Sequence, residues 1–280
     1  MSPEKPDEVK RLTVKRQQAL VLVTGATNGI GAASATALAK AGYRVIVHGR
    51  SEARCALVVE AIQAQGGTAR AELADFASLA QVRAMADRLA PQNIDVLVNN
   101  AGVWMNEARE TEDGFETTWQ VNHLAPFLLT QRLLPALLKR ADACVINISS
   151  SGHRSGRIHF DDVNLQRGFS GLRAYCQSKL ANVLFTQELA RRTQGSSLIT
   201  HAVDPGAVQT QLLAQTGFNV PAAKPAEETV GRWLAAVLGP EGRDSSGDYF
   251  EPDGRRAEPS TRDTELAARL WSMSERQIAM

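Results

Sequence analysis

The sequence predicts an α/β fold, a single doubly wound parallel sheet of about seven strands with helices on both faces. Three observations carry this. From residue 19 onward, short runs of Val, Ile and Leu alternate with longer Ala-rich stretches, the βαβα order of parallel strands and their crossovers. The short runs are apolar throughout, as strands buried on both faces must be. No Pro-, Ser- or Gly-rich linker divides the series, so residues 19–280 read as one domain and residues 1–18 as a flexible N-terminal extension.

In chain order, the apolar runs place strands at 19–23, 44–48, 69–73, 95–99, 143–149 and 197–203, with a short one at 248–250. Between them the Ala- and Leu-rich stretches at 31–41, 52–65, 78–89, 115–139, 172–193 and 226–238 are long enough for crossover helices, and a terminal helix is expected near 264–274. Residues 206–224 are the most loop-like. They follow the carboxyl end of a strand, where open α/β sheets hold ligands, so a loop covering the substrate is expected there.

Composition narrows the class of function. The chain has 31 basic and 30 acidic residues among 280, which leaves no electrostatic footprint for nucleic acid or an anionic membrane. A small molecule becomes the expected partner. Residues 1–18 are rich in Lys, Glu, Arg and Asp and lack the apolar run of a signal peptide or anchor. Polar residues interrupt every later apolar stretch before it reaches spanning length. The three cysteines, Cys55, Cys144 and Cys176, are an odd set without a CxxC pair. They argue for a reducing, cytoplasmic setting and against a disulfide framework or zinc. None of the five histidines has metal-ligand spacing, so no metal is expected.

Chemistry is concentrated in a few motifs. Thr24-Gly25-Ala26-Thr27-Asn28-Gly29-Ile30-Gly31 lies between the first strand and first helix, where a helix N-terminus can hold a pyrophosphate. Gly25 suits the tight turn, Gly29 lets backbone approach phosphate, and Gly31 lets helix pack on strand. Thr27, Asn28 and Ile30 join them as candidate cofactor contacts. After the second strand the chain reads His48-Gly49-Arg50-Ser51, without the acid that binds ribose hydroxyls in NAD enzymes. Arg50, with Ser51 beside it, can instead pair with a 2′-phosphate. NADP(H) is therefore expected over NAD(H). Tyr175 and Lys179 stand four residues apart, on one face of a helix. Alone, that pair would read as surface residues.

Taken together, Thr24 to Gly31, Asn99-Asn100-Ala101-Gly102, Asn122, Ile148-Ser149-Ser150, Tyr175-x-x-x-Lys179 and Asp204-Pro205-Gly206 resemble the short-chain dehydrogenase/reductase family over roughly residues 19–250. Tyr175 to Asn182, and the wide gap between Ser150 and Tyr175, look most like the branch of retinol dehydrogenases and protochlorophyllide reductases. The resemblance implies a Rossmann fold and assigns catalysis to Asn122, Ser150, Tyr175 and Lys179. Tyr175 would be the general acid/base, its pKa of about 10 lowered by the Lys179 ammonium. Lys179 would also hold the nicotinamide ribose, Ser150 would bind the substrate oxygen, and Asn122 would position a relay water. Matching the family's second serine selects Ser150 over Ser149 and Ser151.

The same resemblance puts Asn99 to Gly102 on the floor of the cofactor site, with Asn99, Ala101 and Gly102 as contacts, and Asp204 to Thr210 beside the nicotinamide carboxamide, with Pro205, Gly206, Val208 and Thr210 as contacts. It aligns Glu72, followed by Leu73, with the family's adenine-side Asp, which leaves Asp75 as a helix cap. Asp204, and the lack of an anchor, depart from the retinol-type pattern. Trp104, Met105, His153 and Phe160 lie in loops that could border substrate or simply pack. The helices at 115–139 and 172–193 resemble those through which family members form homodimers or homotetramers, although residues 152–171 could obstruct such pairing. The function expected is NADP(H)-dependent interconversion of a carbonyl and an alcohol. The alternatives are reduction of an activated carbon–carbon double bond and a non-catalytic NADP(H)-binding sensor or scaffold.

Overall fold

In the computed structural model, which describes residues 19–279, the strands are β1 Leu20–Val23, β2 Arg44–Gly49, β3 Thr68–Leu73, β4 Val96–Asn99, β5 Cys144–Ile148, β6 Ile199–Val203, β7 Asp248–Phe250 and β8 Arg256–Ala257. They form one sheet in the order β3-β2-β1-β4-β5-β6-β7-β8. Every neighbouring pair is parallel except β7 with β8, which is antiparallel. This is the α/β sheet expected, with one strand more. The two residues of β8 are too short to leave a periodic signal.

The helices are α1 Gly29–Lys40, α2 Glu52–Ala64, α3 Leu79–Leu89, α4 Thr117–Trp119, α5 Ala125–Leu137, α6 Gly171–Arg192, α7 Gln211–Thr216, α8 Ala226–Leu238, α9 Pro240–Arg243 and α10 Thr264–Ile278. Two cores sandwich the sheet. Leu20 and Leu22 of β1 face a core built with α3, α5, α6 and α10, while Val21 and Val23 face one built with α1, α2 and α8. Successive side chains point to opposite faces, so both must be apolar, and β1, β4 and β5 are buried at every position.

Three expectations change in detail. Residues 115–139 do not form one regular helix. A π-helical turn, Gln120–Leu124, joins α4 to α5. Pro126 follows; it has no N–H for the carbonyl four residues back, at Asn122, and its ring crowds that carbonyl, so the turn widens. Residues 206–224 contain α7, capped by the Thr210 hydroxyl and closed by Gly217 at φ 71°. Asp75 is not a helix cap. Ser78 caps α3, its Oγ accepting from the Gln81 N–H, while Asp75 Oδ1 accepts from the Ala77 N–H in the turn before it. Among the described residues, no helix is long and apolar enough to cross a membrane.

Candidate active site

The strand order reverses between β1 and β4, where doubly wound sheets open a crevice at the carboxyl ends of the strands. A cleft of about 890 Å³ lies there, lined by the glycine turn, Arg50, Ser150, Tyr175, Lys179 and residues 205–218.

The glycine turn is built by exclusion of side chains. Gly25 has φ 62° and approaches Ala101 so closely that an added Cβ would stand 2.7 Å from the Ala101 Cα. A Cβ on Gly31 would lie 2.3 Å from the Gly25 carbonyl oxygen. Asn100 clamps the turn, its Nδ2 donating to the Thr24 carbonyl at 2.8 Å and the Gly25 carbonyl at 3.2 Å. The Thr24 hydroxyl accepts from the N–H groups of Asn100 and Ala101. His48 supports the turn from β2. Its Nδ1 accepts from the Gly25 N–H at 3.2 Å, its Nε2 meets the Ala74 carbonyl at 3.1 Å, and burial lowers its pKa to about 4. The ring therefore stays neutral, with its proton on Nε2.

This turn fits a dinucleotide phosphate. Asn28 makes no side-chain cap to α1, and the first turn of α1 holds no acid, so the helix N-terminus presents its N–H groups and positive dipole end to the cleft. At the neighbouring end of the cleft, the Arg50 side chain is 75% exposed, with Asp75 4.0 Å away. Gly49 serves packing as well as access, since a Cβ there would meet Thr27 Cγ2 at 2.4 Å.

At the opposite end, α6 presents Tyr175 and Lys179. Lys179 Nζ donates to the Ile148 carbonyl at 3.0 Å and lies 5.4 Å from the centroid of the Tyr175 ring. Burial lowers its pKa to about 8, opposed by the Asp204 carboxylate. Tyr175 moves opposite to expectation: burial raises it to about 12, hydrogen bonding with Ser150 pulls it down, and the Asp204 charge adds to the rise. The Lys179 ammonium is tied to β5 and faces the ring, which leaves burial dominant.

Three serines follow β5. Ser149 donates to the Lys179 carbonyl at 2.9 Å, and exposed Ser151 begins a 3-10 turn, Ser151–Ser155. Ser150 caps that turn, its Oγ accepting from the Gly152 N–H at 3.2 Å, and hydrogen bonds with Tyr175. Asp204 is buried behind the site, its Oδ1 accepting from the Gly206 N–H at 2.8 Å.

Residues 206–218 form a flap over both halves of the cleft. Asn28 Nδ2 donates to Gln211 Oε1 at 3.2 Å on the phosphate side, and Asn106 Nδ2 donates to the Gln215 carbonyl at 3.2 Å on the other. Trp104 packs between Tyr175 and Phe218, with ring centroids 5.4 and 5.7 Å apart.

Of the residues singled out from sequence, Gly25, Thr27, Asn28, Gly29, Ile30, Gly31, Arg50, Ala101, Gly102, Ser150, Tyr175, Lys179, Pro205, Gly206, Val208 and Thr210 line one cleft. Others stand elsewhere. The Asn99 side chain is turned into the sheet, where its Nδ2 donates to Thr130 and Asn147. Ser51 caps α2. Glu72, on the edge strand, is held by Arg70 and Arg88, and Leu73 is exposed beside it. Asp75, Phe76 and Ala77 reach the cleft where Glu72 was expected to. Asn122 Oδ1 accepts from the Val103 N–H at 2.7 Å while its Nδ2 donates to the Val103 carbonyl and the Ser178 hydroxyl. With both amide protons committed, its side chain holds the strand-to-helix loop. Phe160 packs against the core beneath Arg269. Trp104, Met105, Leu172 and Phe218 were not separable from core or surface residues by pattern, because the fold gathers them from distant segments.

The model of the short chain dehydrogenase family matches residues 19–219. Retinol dehydrogenase 13 of Homo sapiens is 38% identical, with 93% of this chain and 84% of that protein covered. Retinol dehydrogenase 11 of Homo sapiens is 41% identical over 74% of this chain and 66% of that protein. Among solved structures, an uncharacterized protein from Mycobacterium Paratuberculosis superposes with a TM-score of 0.80, 33% identical and covering 97% of both chains. A short chain dehydrogenase from Burkholderia cenocepacia J2315, solved in complex with NADP, gives a TM-score of 0.69 at 29% identity, covering 86% of this chain and 98% of that one.

Proposed function

The chain belongs to the short-chain dehydrogenase family, and on that premise we propose that it is an NADP(H)-dependent oxidoreductase that interconverts a carbonyl and an alcohol, with Tyr175 as general acid/base. The observation that carries this reading is the single cleft shared by the phosphate-ready end of α1, Arg50, and the group of Ser150, Tyr175 and Lys179.

Bound NADPH supplies the hydride. The protein's part is to hold the carbonyl oxygen, give it a proton and keep the reacting groups in register. Ser150 O–H donates to the substrate oxygen while Ser150 Oγ is steadied by the Gly152 N–H. Tyr175 gives its proton to that oxygen as the alcohol forms, and is later reprotonated from solvent. A phenol held at about 12 keeps its proton until substrate charge develops. Lys179, charged below about pH 8, stabilises the phenolate left behind.

Arg50 supports the preference for NADP(H), because an exposed guanidinium suits a phosphate and no acid stands at the end of β2. Trp104, Met105, Leu172 and Phe218 support a substrate with an apolar body, in keeping with the alcohol named for the retinol dehydrogenases.

The test is to incubate the protein with NADPH and a panel of apolar ketones, aldehydes and enones and to identify the products. Alcohols are expected. Saturated ketones formed from enones would replace this reading with carbon–carbon double-bond reduction, and NADPH bound but never consumed would overturn it.

A further inference from the structure

Behind Ser150 lies a histidine that the proposed chemistry does not use. His153, in the turn after β5, is fully buried. Its backbone N–H donates to the Ser150 carbonyl at 3.0 Å, and its ring Nδ1 meets the same oxygen at 2.7 Å. The other ring nitrogen, Nε2, stands 3.0 Å from the backbone N of Ser260. A backbone N–H only donates, so Nε2 must accept; the neutral ring then carries its proton on Nδ1, facing an oxygen that only accepts. Both partners demand one tautomer, and burial, which lowers the pKa of His153, keeps the ring in that neutral form. The ring also packs on Tyr249 at 4.7 Å, and Tyr249 hydrogen bonds with Asp204.

We propose that His153 is a positioning residue for Ser150: its Nδ1–H holds the Ser150 carbonyl from behind, and the Ser260 N–H fixes the tautomer able to do so. This rests on the reading that Ser150 binds the substrate oxygen. Ser150 is then held at both ends, its carbonyl by two donors from His153 and its Oγ by the Gly152 N–H. Its hydroxyl proton then points to the cleft, where Tyr175 and the substrate oxygen can take it. Ser260 lies outside residues 19–219, the part matched by the family model, so a C-terminal segment takes part in ordering the site.

Two isosteres separate the two bonds. His153→Asn keeps a donor at the Nδ1 position and loses the acceptor for Ser260; His153→Gln keeps an acceptor near Nε2 and loses the donor to Ser150. Carbonyl reduction and amide hydrogen exchange are measured on full-length wild type and both variants. The Gln variant should lose kcat roughly tenfold or more, as misplaced reacting groups do, with KM for NADPH unchanged, and should exchange faster across residues 150–156. The Asn variant should keep most of kcat and exchange faster only around residues 258–262. Equal kcat losses in the two variants, or unchanged exchange at 150–156 in the Gln variant, would overturn the proposal. If the Gln variant does not fold, the Asn variant decides: kcat kept supports the proposal and kcat lost overturns it. If wild type turns over no carbonyl, the proposed function falls by itself, and exchange at 150–156 alone supports or overturns the clamp.

Discussion

At the scale of single residues, the cleft sets two titrations apart. Burial depresses Lys179 to about 8 and raises Tyr175 to about 12. The ammonium is therefore present below about pH 8 and lost above it, while the phenol keeps its proton through both ranges. The pH profile of kcat for reduction should be flat below about pH 8 and fall above it; Lys179→Met should be slow throughout and lack that limb. A wild-type profile unchanged through that range would remove Lys179 from proton control. Arg50 decides the cofactor. Arg50→Ala should weaken NADPH binding about tenfold, the loss of one charge-assisted contact at an exposed site, and leave NADH binding nearly unchanged. Equal losses in titrations of both cofactors would sink the phosphate contact. Gly25 and Ser150 were legible because each follows a strand end, and Tyr175 because Lys179 stands one helical turn on and the other motifs keep it company. His48 and Asp204 were not, because their roles depend on partners from other strands: Gly25 and Ala74 for one, Tyr249 and the Lys179 region for the other. Glu72 was misjudged for a related reason: the strand ends at Leu73, and only the turn that follows brings Asp75 to the cleft.

At the scale of elements, close packing makes the site and stability inseparable. Gly31→Ala would force a Cβ against the Gly25 carbonyl oxygen and Asn100; overpacking of this kind costs about 1–3 kcal/mol. Chemical denaturation should show that loss, and cofactor binding should weaken with it because the pyrophosphate turn must shift. Unchanged stability and binding would mean that the turn has slack which the close approach denies. Strands and long helices were readable from period and length, since each buries a stripe fixed by its geometry. The π turn before α5 was not. It arises from Pro126 and from Asn122 reaching Val103, whereas the helical period runs on through it. The flap was read as loop because α7 has only six residues and buries none.

At the scale of the molecule, α10 determines what surface remains for assembly. Trp271 packs on Phe127 of α5 and Phe185 of α6, with ring centroids 5.0 and 5.9 Å apart, and Arg192 lies over it at 4.4 Å. α10 thus packs against α5 and α6, the helices through which dimers or tetramers were expected. The protein should sediment as a monomer. A stable dimer would require α10 to move or another surface to pair. Trp271→Ala should cost roughly 3–5 kcal/mol, as large aromatic truncations in cores do. The alternation of strands and helices was enough to give the sheet and its crevice; the packing of α10 on α5 and α6 was not foreseeable, because it joins helices far apart in the chain.

In the proposed function, one cleft binds NADPH at α1 and protonates a carbonyl from Tyr175. Its most direct test is NADPH consumption with apolar carbonyls by wild type and Tyr175→Phe in parallel, with NADPH affinity measured for both and NADH as the comparison cofactor. Wild type should turn over and prefer NADPH, and Tyr175→Phe should lose turnover while keeping its affinity for NADPH. Turnover by Tyr175→Phe at the wild-type rate would contradict it.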